Sequence, residues 1–73
     1  NDAMVDMKKI VEIDPNLAIA HQKLGNIYQE LGQIDEAIGA YKKALEISPG
    51  LQEALTNLDD AYRLKEKKMK KQK

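Results

Sequence analysis

Apolar residues recur along this chain in two long stripes that are separated by short polar breaks. The stripes cover residues 17–31 and 34–47, with steps of three and four residues, the spacing of one face of an α-helix. Pro15 and Pro49 lie in the breaks, which fits because a helix interior does not tolerate proline. Gly32 follows the first stripe, where it can adopt the left-handed conformation that ends a helix. The pattern predicts four helices, at residues 2–13, 17–31, 34–47 and 51–67.

A repeat of 34 residues underlies this pattern. The stretch EIDPNLA at Glu12–Ala18 returns as EISPGLQ at Glu46–Gln52. When the sequence is compared with itself at that offset, ten positions are identical in one ungapped register, against roughly two by chance at ordinary composition. A fixed period of this length is typical of supersecondary units stacked side by side. The units predicted here are pairs of antiparallel helices.

Small residues interrupt both stripes and predict close contacts between helices. Three tyrosines on the stripes, Tyr28, Tyr41 and Tyr62, are expected to fill the gaps between neighbouring helices. Gly39 lies inside a predicted helix, where glycine costs about 1 kcal/mol relative to alanine. We interpret Gly39 either as a close-packing position or as a tolerated weakness.

Eight residues of the period resemble the tetratricopeptide repeat in type and spacing. They are Leu24, Gly25, Tyr28, Gly32, Ala37, Tyr41, Ala44 and Pro49. The resemblance covers one complete repeat at residues 16–49, the second helix of a preceding repeat at 2–13, and a first or capping helix at 51–67. His21 stands where the pattern usually has Trp or Leu, and Asp59 stands where it usually has Gly or Ala. The resemblance implies an all-α fold in which antiparallel helix pairs stack as a short right-handed superhelix. It also implies a protein-protein interaction module rather than an enzyme.

Members of this family hold extended peptides or partner helices in a concave groove that the first helices of the repeats line. By resemblance, the groove here lies on the polar helix faces, and helical spacing places these faces opposite the apolar stripes. One subclass binds acidic C-terminal tails with converging basic side chains. Gln22 stands where that subclass has Lys, and the groove contains the acidic Glu53 and Asp60, so a neutral or basic peptide is favoured. The candidate groove residues are Ile19, Gln22, Asn26, Gln29, Glu53, Thr56, Asp60 and Arg63.

The first predicted helix has no visible partner on its N-terminal side. Repeat units of this kind contact only their neighbours, and about three are normally needed for stability. The chain is therefore expected to be a piece of a longer array or to complete its core with another copy of itself. Self-association through this edge is the alternative function that we carry forward. The edge residues are Met4, Met7, Ile10 and Val11.

Charge is unevenly distributed, although the chain is neutral overall. Residues 1–62 carry a net charge of −6, and residues 63–73 carry a net charge of +6. A Lys-rich tail at residues 68–73 follows the last predicted helix. Because the helix dipole favours cations near a C-terminus, a solvated helix end is the favoured interpretation. Binding of nucleic acid or of an acidic membrane surface by this tail is the weaker alternative, since no aromatic residue that could stack on bases accompanies the lysines.

The sequence provides no constellation of residues for catalysis. It contains one histidine, one serine, one threonine and no cysteine, so a nucleophile with a base and an orienting group cannot be assembled. His21 is therefore interpreted as a structural residue. No cofactor or metal site is predicted, because the glycines are spread singly and the adjacent Asp59 and Asp60 point apart on a helix.

No apolar run approaches the roughly 20 residues that a membrane span needs. The first residues are acidic and lack the basic segment of a signal peptide. The cytoplasm is accordingly the favoured compartment. The identity of the partner cannot be read from these residues.

Overall fold

Four α-helices follow one another along the chain. The computed structural model describes residues 2–71, with the side chains of residues 5–67. The helices are α1 (Asp2–Ile13), α2 (Ala18–Glu30), α3 (Ile34–Ile47) and α4 (Gln52–Lys71). The predictions of an all-α helical repeat and of four helices are confirmed, and no strand occurs in the part of the chain that the structure describes.

The turn between α1 and α2 and the turn between α3 and α4 have the same backbone hydrogen bonds. Each turn is closed by three backbone hydrogen bonds of 2.9 to 3.3 Å, and each bond recurs at the same offset of 34 residues. The sequence repeat therefore corresponds to a repeat in backbone geometry. The bonds, with the donating N–H first, are Asp14–Ile10 and Ser48–Ala44, Leu17–Asp14 and Leu51–Ser48, and His21–Leu17 and Leu55–Leu51.

The turn between α2 and α3 is built around Gly32. Its φ is +81°, in the left-handed region that glycine adopts without a steric penalty. The Gly32 N–H donates to the carbonyl of Gln29 at 3.0 Å, and the Gln33 N–H donates to the carbonyl of Tyr28 at 2.8 Å. This pair of bonds is the Schellman motif, which satisfies the last carbonyls of a helix. The predicted glycine cap is confirmed.

Each helix packs mainly against its neighbours in the sequence. The most extensive contact joins α2 to α3, followed by α3 with α4 and α1 with α2. The smaller contact between α2 and α4 brings together helices that are not consecutive, while α1 touches α2 alone among the described helices. The centre of the core contains Ile34, Ala37, Ile38, Tyr41 and Ala61, with Tyr28 and Leu58 packed at its margin.

Tyr41 of α3 lies against the backbone of α2 at Gly25. Tyr41 is the largest fully buried side chain among the described residues, with no exposed surface. A Cβ atom on residue 25 would lie 2.5 Å from Cε1 and 2.6 Å from Cδ1 of the Tyr41 ring. Real Cβ atoms do not approach neighbours so closely, and a rigid buried ring cannot move aside without disturbing the core. Glycine at position 25 is therefore a requirement of this helix contact.

The structure corrects one expectation about packing and decides between the two interpretations of Gly39. Tyr28 and Tyr41 do fill gaps between helices, but Tyr62 is 44% exposed, since among the described residues no further helix covers that side of α4. Its ring instead lies 5.9 Å from Nζ of Lys42, a cation–π arrangement. Gly39 is exposed with nothing within 4 Å of the place where its Cβ would lie, so it is not a close-packing position.

The last helix is longer than the pattern predicts. It continues through Lys71 rather than ending at Lys67, so the first part of the predicted tail is helical. The side chains of residues 68–73 and the backbone of the last two residues lie outside the described part of the chain.

Replacing Gly25 and Gly39 with alanine, one at a time, is expected to change stability in opposite directions. Gly25→Ala forces a methyl group into the Tyr41 ring and should lower the free energy of unfolding by about 1–3 kcal/mol. Gly39→Ala places the methyl group in open space and should raise the free energy of unfolding by about 0.5–1 kcal/mol, the difference in helix propensity. Urea unfolding followed by circular dichroism measures both. Equal effects of the two substitutions would contradict the proposed packing at Gly25.

Candidate functional site

The candidate groove lies where α2 and α4 approach one another. An open cleft of about 310 Å³ lies at this junction, and three of the predicted groove residues line it: Gln29 from α2, with Asp60 and Arg63 from α4. Two further residues of α4, Leu64 and Lys67, complete the lining. The structure therefore brings together one end of the predicted groove.

The other predicted groove residues lie outside this cleft. Ile19 is 56% exposed, and Glu53 and Thr56 are also exposed. Asn26 is half-buried, one turn before Gln29 on α2. Gln22 is only 4% exposed, so this side chain is part of the interior rather than of an open surface.

Beneath this junction, a hydrogen-bond network links α3 to the groove side of α2. The hydroxyl group of Tyr41 lies 2.7 Å from Oδ1 of Asn26 and 3.1 Å from Oε1 of Gln29, and its single proton is shared between these two acceptors, with the shorter bond to Asn26. Both amide side chains are half-buried, while the Tyr41 ring is fully buried. Gln29, which lines the cleft, is thus linked directly to the core through Tyr41.

Electrostatics near this network favour the neutral phenol. Burial, followed by the negative charges of Asp60 and Glu30, raises the pKa of Tyr41 to about 12. Each of these effects penalises the tyrosinate anion. At neutral pH Tyr41 is therefore a hydrogen-bond donor to the groove amides.

Two ion pairs involve the charged side chains of α4. Arg63 contacts Asp59 at 3.1 Å along the helix, and Lys65 contacts Asp35 at the start of α3 at 2.9 Å. The hydrogen bond to Asp35, and then its charge, raises the pKa of Lys65. All four side chains are substantially exposed, so each pair contributes little to stability. The second pair joins α4 to the start of α3 at the surface.

Three side chains at the candidate site were not predicted from the sequence. Leu64 and Lys67 follow Asp60 at steps of four and seven residues, so the helical period would have placed them on the same face. Tyr41 was assigned to the core only, and nothing in the sequence shows that its hydroxyl group reaches across to α2. That contact depends on the distance between the helices at Gly25.

The predicted edge on α1 is partly covered by α2. Met7, Ile10 and Val11 are half-buried, and the side chain of Met4 lies outside the described residues. Among the described side chains of α1, the large apolar ones that are open to solvent are Val5, 56% exposed, and Ile13, 83% exposed. Self-association through this edge stays a prediction.

His21 takes part in the turn between α1 and α2. Its Nε2 lies 2.9 Å from the backbone carbonyl of Pro15, which accepts the hydrogen bond. Among the described residues, no group of three or more His, Cys, Asp or Glu side chains could hold a metal ion. No helix among them is both long and apolar enough to cross a membrane.

Comparison with known proteins identifies the repeat. The family model described as tetratricopeptide repeat matches residues 18–51, two residues later at each end than the repeat that the sequence pattern predicts. The chain belongs to the tetratricopeptide repeat family. The proteins of this family are interaction scaffolds, so the tetratricopeptide repeat of this chain is a protein-protein interaction module in general terms.

Relatives of known description contain tetratricopeptide repeats as well. The chain is 36% identical over 63 residues to heat shock protein STI1 of Saccharomyces cerevisiae, covering 86% of the chain and 11% of the relative. It is 34% identical over 61 residues to the Hsp70-Hsp90 organizing protein of Triticum aestivum, covering 84% of the chain and 10% of the relative. It is 33% identical over 54 residues to tetratricopeptide repeat protein 17 of Danio rerio, covering 74% of the chain and 4% of the relative. The chain thus spans about a tenth of these relatives or less.

The elevated pKa of Tyr41 predicts a specific loss of stability in alkali. The folded state holds the proton up to about pH 12, whereas the unfolded chain releases it near pH 10. The raised pKa therefore contributes about 1–3 kcal/mol to the free energy of unfolding below pH 10. This contribution is lost as the pH rises from 10 to about 12. Urea unfolding of the wild type and of Tyr41→Phe at several pH values isolates this contribution. All other titratable groups are present in both proteins, so their effects cancel in the difference.

The matched control is Tyr62→Phe, at an exposed ring. At neutral pH, Tyr41→Phe should be less stable than the wild type by about 1 kcal/mol, for the lost hydrogen bonds. This difference in the free energy of unfolding between the wild type and Tyr41→Phe should shrink as the pH rises above 10. A difference that stays constant up to pH 12 would contradict the assignment of the raised pKa to Tyr41.

Proposed function

We propose that this chain binds an extended peptide segment of a partner protein in the groove between α2 and α4. The observation that carries the proposal is the open cleft at this junction, lined by charged and amide side chains from both helices. Extended peptides have polar backbones, so a cleft that offers hydrogen-bond donors and acceptors along two parallel elements suits them. Under this proposal the chain acts by binding and not as an enzyme, and it acts in the cytoplasm.

The charges that line the cleft favour an acidic peptide. Asp60 is the one carboxylate in the lining, whereas Arg63 and Lys67 supply two cations. The sequence favoured a neutral or basic peptide because of Glu53 and Asp60, but Glu53 does not line the cleft and Lys67 does. Counting the lining side chains therefore reverses that expectation for this end of the groove.

Names of the relatives support a role in assembly. One of them is described as an Hsp70-Hsp90 organizing protein, which names an assembly of other proteins. The shared segment is a small part of that relative, so the similarity supports a role in binding a partner but does not specify which one. The proposal accordingly commits to the chemistry of the peptide and not to its source.

The test uses three end-blocked peptides of equal length that carry acidic, uncharged or basic side chains at the same positions. Titration followed by ¹⁵N chemical shifts should show the tightest binding for the acidic peptide, with the largest changes at the backbone amides of Gln29, Asp60 and Leu64. Tightest binding of the basic peptide would overturn the charge assignment. Shift changes confined to other surfaces, or no binding of any peptide, would overturn the groove itself.

Two substitutions in the cleft should shift the affinity for the acidic peptide in opposite directions. Lys67→Gln removes a cation and should weaken binding about two- to fivefold, the range of an exposed charge pair. Asp60→Asn removes a repulsive carboxylate and should strengthen binding by a similar factor. Lys8→Gln on α1 is the matched control, since Lys8 is exposed and does not line the cleft. If Lys67→Gln and Lys8→Gln had the same effect, the attraction would be a property of the whole chain rather than of the cleft.

A further inference from the structure

The Tyr41 hydroxyl group contacts the oxygen atoms of two amide side chains on the groove side of α2. The distances are 2.7 Å to Oδ1 of Asn26 and 3.1 Å to Oε1 of Gln29. A side-chain amide carries its oxygen and its NH₂ group as two separate substituents of one planar carbon, so the two point in different directions. When the oxygen is bound on the core side, the NH₂ group must therefore point away from Tyr41.

The position of the hydroxyl group is fixed by packing. The ring is fully buried and lies against the backbone of Gly25, which immediately precedes Asn26. Residue 29 is one helical turn beyond Gly25, so both amides lie along the side of α2 that the ring follows. A phenol is protonated across the neutral range even at its ordinary pKa, and burial and two nearby carboxylates raise the pKa of Tyr41 further, to about 12. A single rigid donor thus acts on both amides.

We propose that Tyr41 is a positioning residue of the groove, which orients the Asn26 and Gln29 side chains so that their NH₂ groups donate to carbonyl oxygens of a bound peptide. The binding part of this inference rests on the proposed function, whereas the orientation of the amides does not. Gln29 lines the cleft beside Arg63 and Lys67, so the oriented amide adds to a set of donors that face an acceptor-rich occupant.

The arrangement occurs once in the described residues, although the sequence repeats. At the offset of 34 residues, Asn26 corresponds to Asp60 and Gln29 to Arg63, and on α1 Met7 takes the place of Tyr41. Neither Asp60 nor Arg63 is an amide, and Met7 has no hydroxyl group. The orienting network is therefore a local feature of the complete repeat rather than a general consequence of its fold.

The experiment compares the full chain with Tyr41→Phe, which retains the ring and removes the hydroxyl group. In ¹⁵N-labelled protein, relaxation of the side-chain NH₂ groups should show Asn26 and Gln29 restricted in the wild type. In Tyr41→Phe they should become as mobile as the NH₂ group of the exposed Gln52. Tyr62→Phe is the matched control and should leave both groups restricted. Backbone amide shifts show whether each variant keeps the native fold.

Unchanged restriction of both NH₂ groups in a natively folded Tyr41→Phe would overturn the proposal. A second measurement needs no variant: in the wild type, strong nuclear Overhauser contacts from the Asn26 NH₂ protons to the Tyr41 ring edge would show the opposite orientation and overturn it as well. Weak contacts there, with strong contacts from these protons to groove side chains, are the expected result.

Binding of the acidic peptide then tests the role of the oriented donors. Tyr41→Phe should bind it about fivefold more weakly than the wild type, the value of one neutral hydrogen bond, and Tyr62→Phe should bind it normally. Equal affinities of wild type and Tyr41→Phe would overturn the positioning role. If the wild type binds none of the peptides, the proposed function fails, and the NH₂ relaxation data still decide whether Tyr41 orients the amides.

Discussion

The contact between the Tyr41 ring and the Gly25 backbone determines how α2 and α3 fit together. Because residue 25 has no Cβ, the ring can lie directly on the α2 backbone and become fully buried. Burial of one large aromatic side chain contributes about 1.5–3 kcal/mol, a considerable part of the stability of a domain this small. The rest of the core, Ile34, Ala37, Ile38 and Ala61, surrounds this ring.

The same contact connects the core with the candidate binding surface. Only a ring this close to α2 can bring its hydroxyl group to the amides of Asn26 and Gln29 on the groove side. Stability and the proposed recognition of a peptide therefore depend on one side chain. It also means that a substitution in the core at this position changes the chemistry of the surface.

Local patterns predicted the helices well, because helix periodicity and turn residues act over a few neighbouring positions. The bounds of α1 and α3 agree with the prediction, and Gly32 has the backbone conformation that a helix end requires. Packing partners were harder to predict. Tyr41 and Tyr62 occupy similar stripes in the sequence, yet only Tyr41 has a helix on both sides, so one ring is buried and the other is 44% exposed. Gln22 was predicted to line the open groove because it is polar, but it is only 4% exposed. Polarity alone does not show whether a neighbouring helix covers a side chain.

The chemistry of the candidate cleft was harder to predict than the helix faces that line it. The resemblance located the groove on the first helices, and Gln29, Asp60 and Arg63 do line one cleft. Lys67 lies within the predicted last helix, seven residues after Asp60, so the helical period could have identified it although the resemblance did not. The network beneath Asn26 depends on the distance between two helices, which no periodic pattern records.

Sequential packing gives this chain a graded resistance to local opening. Since α1 touches α2 alone among the helices that the structure describes, separation of α1 breaks one interface and leaves the contact between Gly25 and Tyr41 in place. Opening of α3 would instead disrupt its contacts with both α2 and α4. In an array with nearest-neighbour interfaces, the end elements open at the lowest free energy and the central pair at the highest. The amides of Asn26 and Gln29, together with the hydroxyl group that binds them, thus belong to the part of the molecule that opens last.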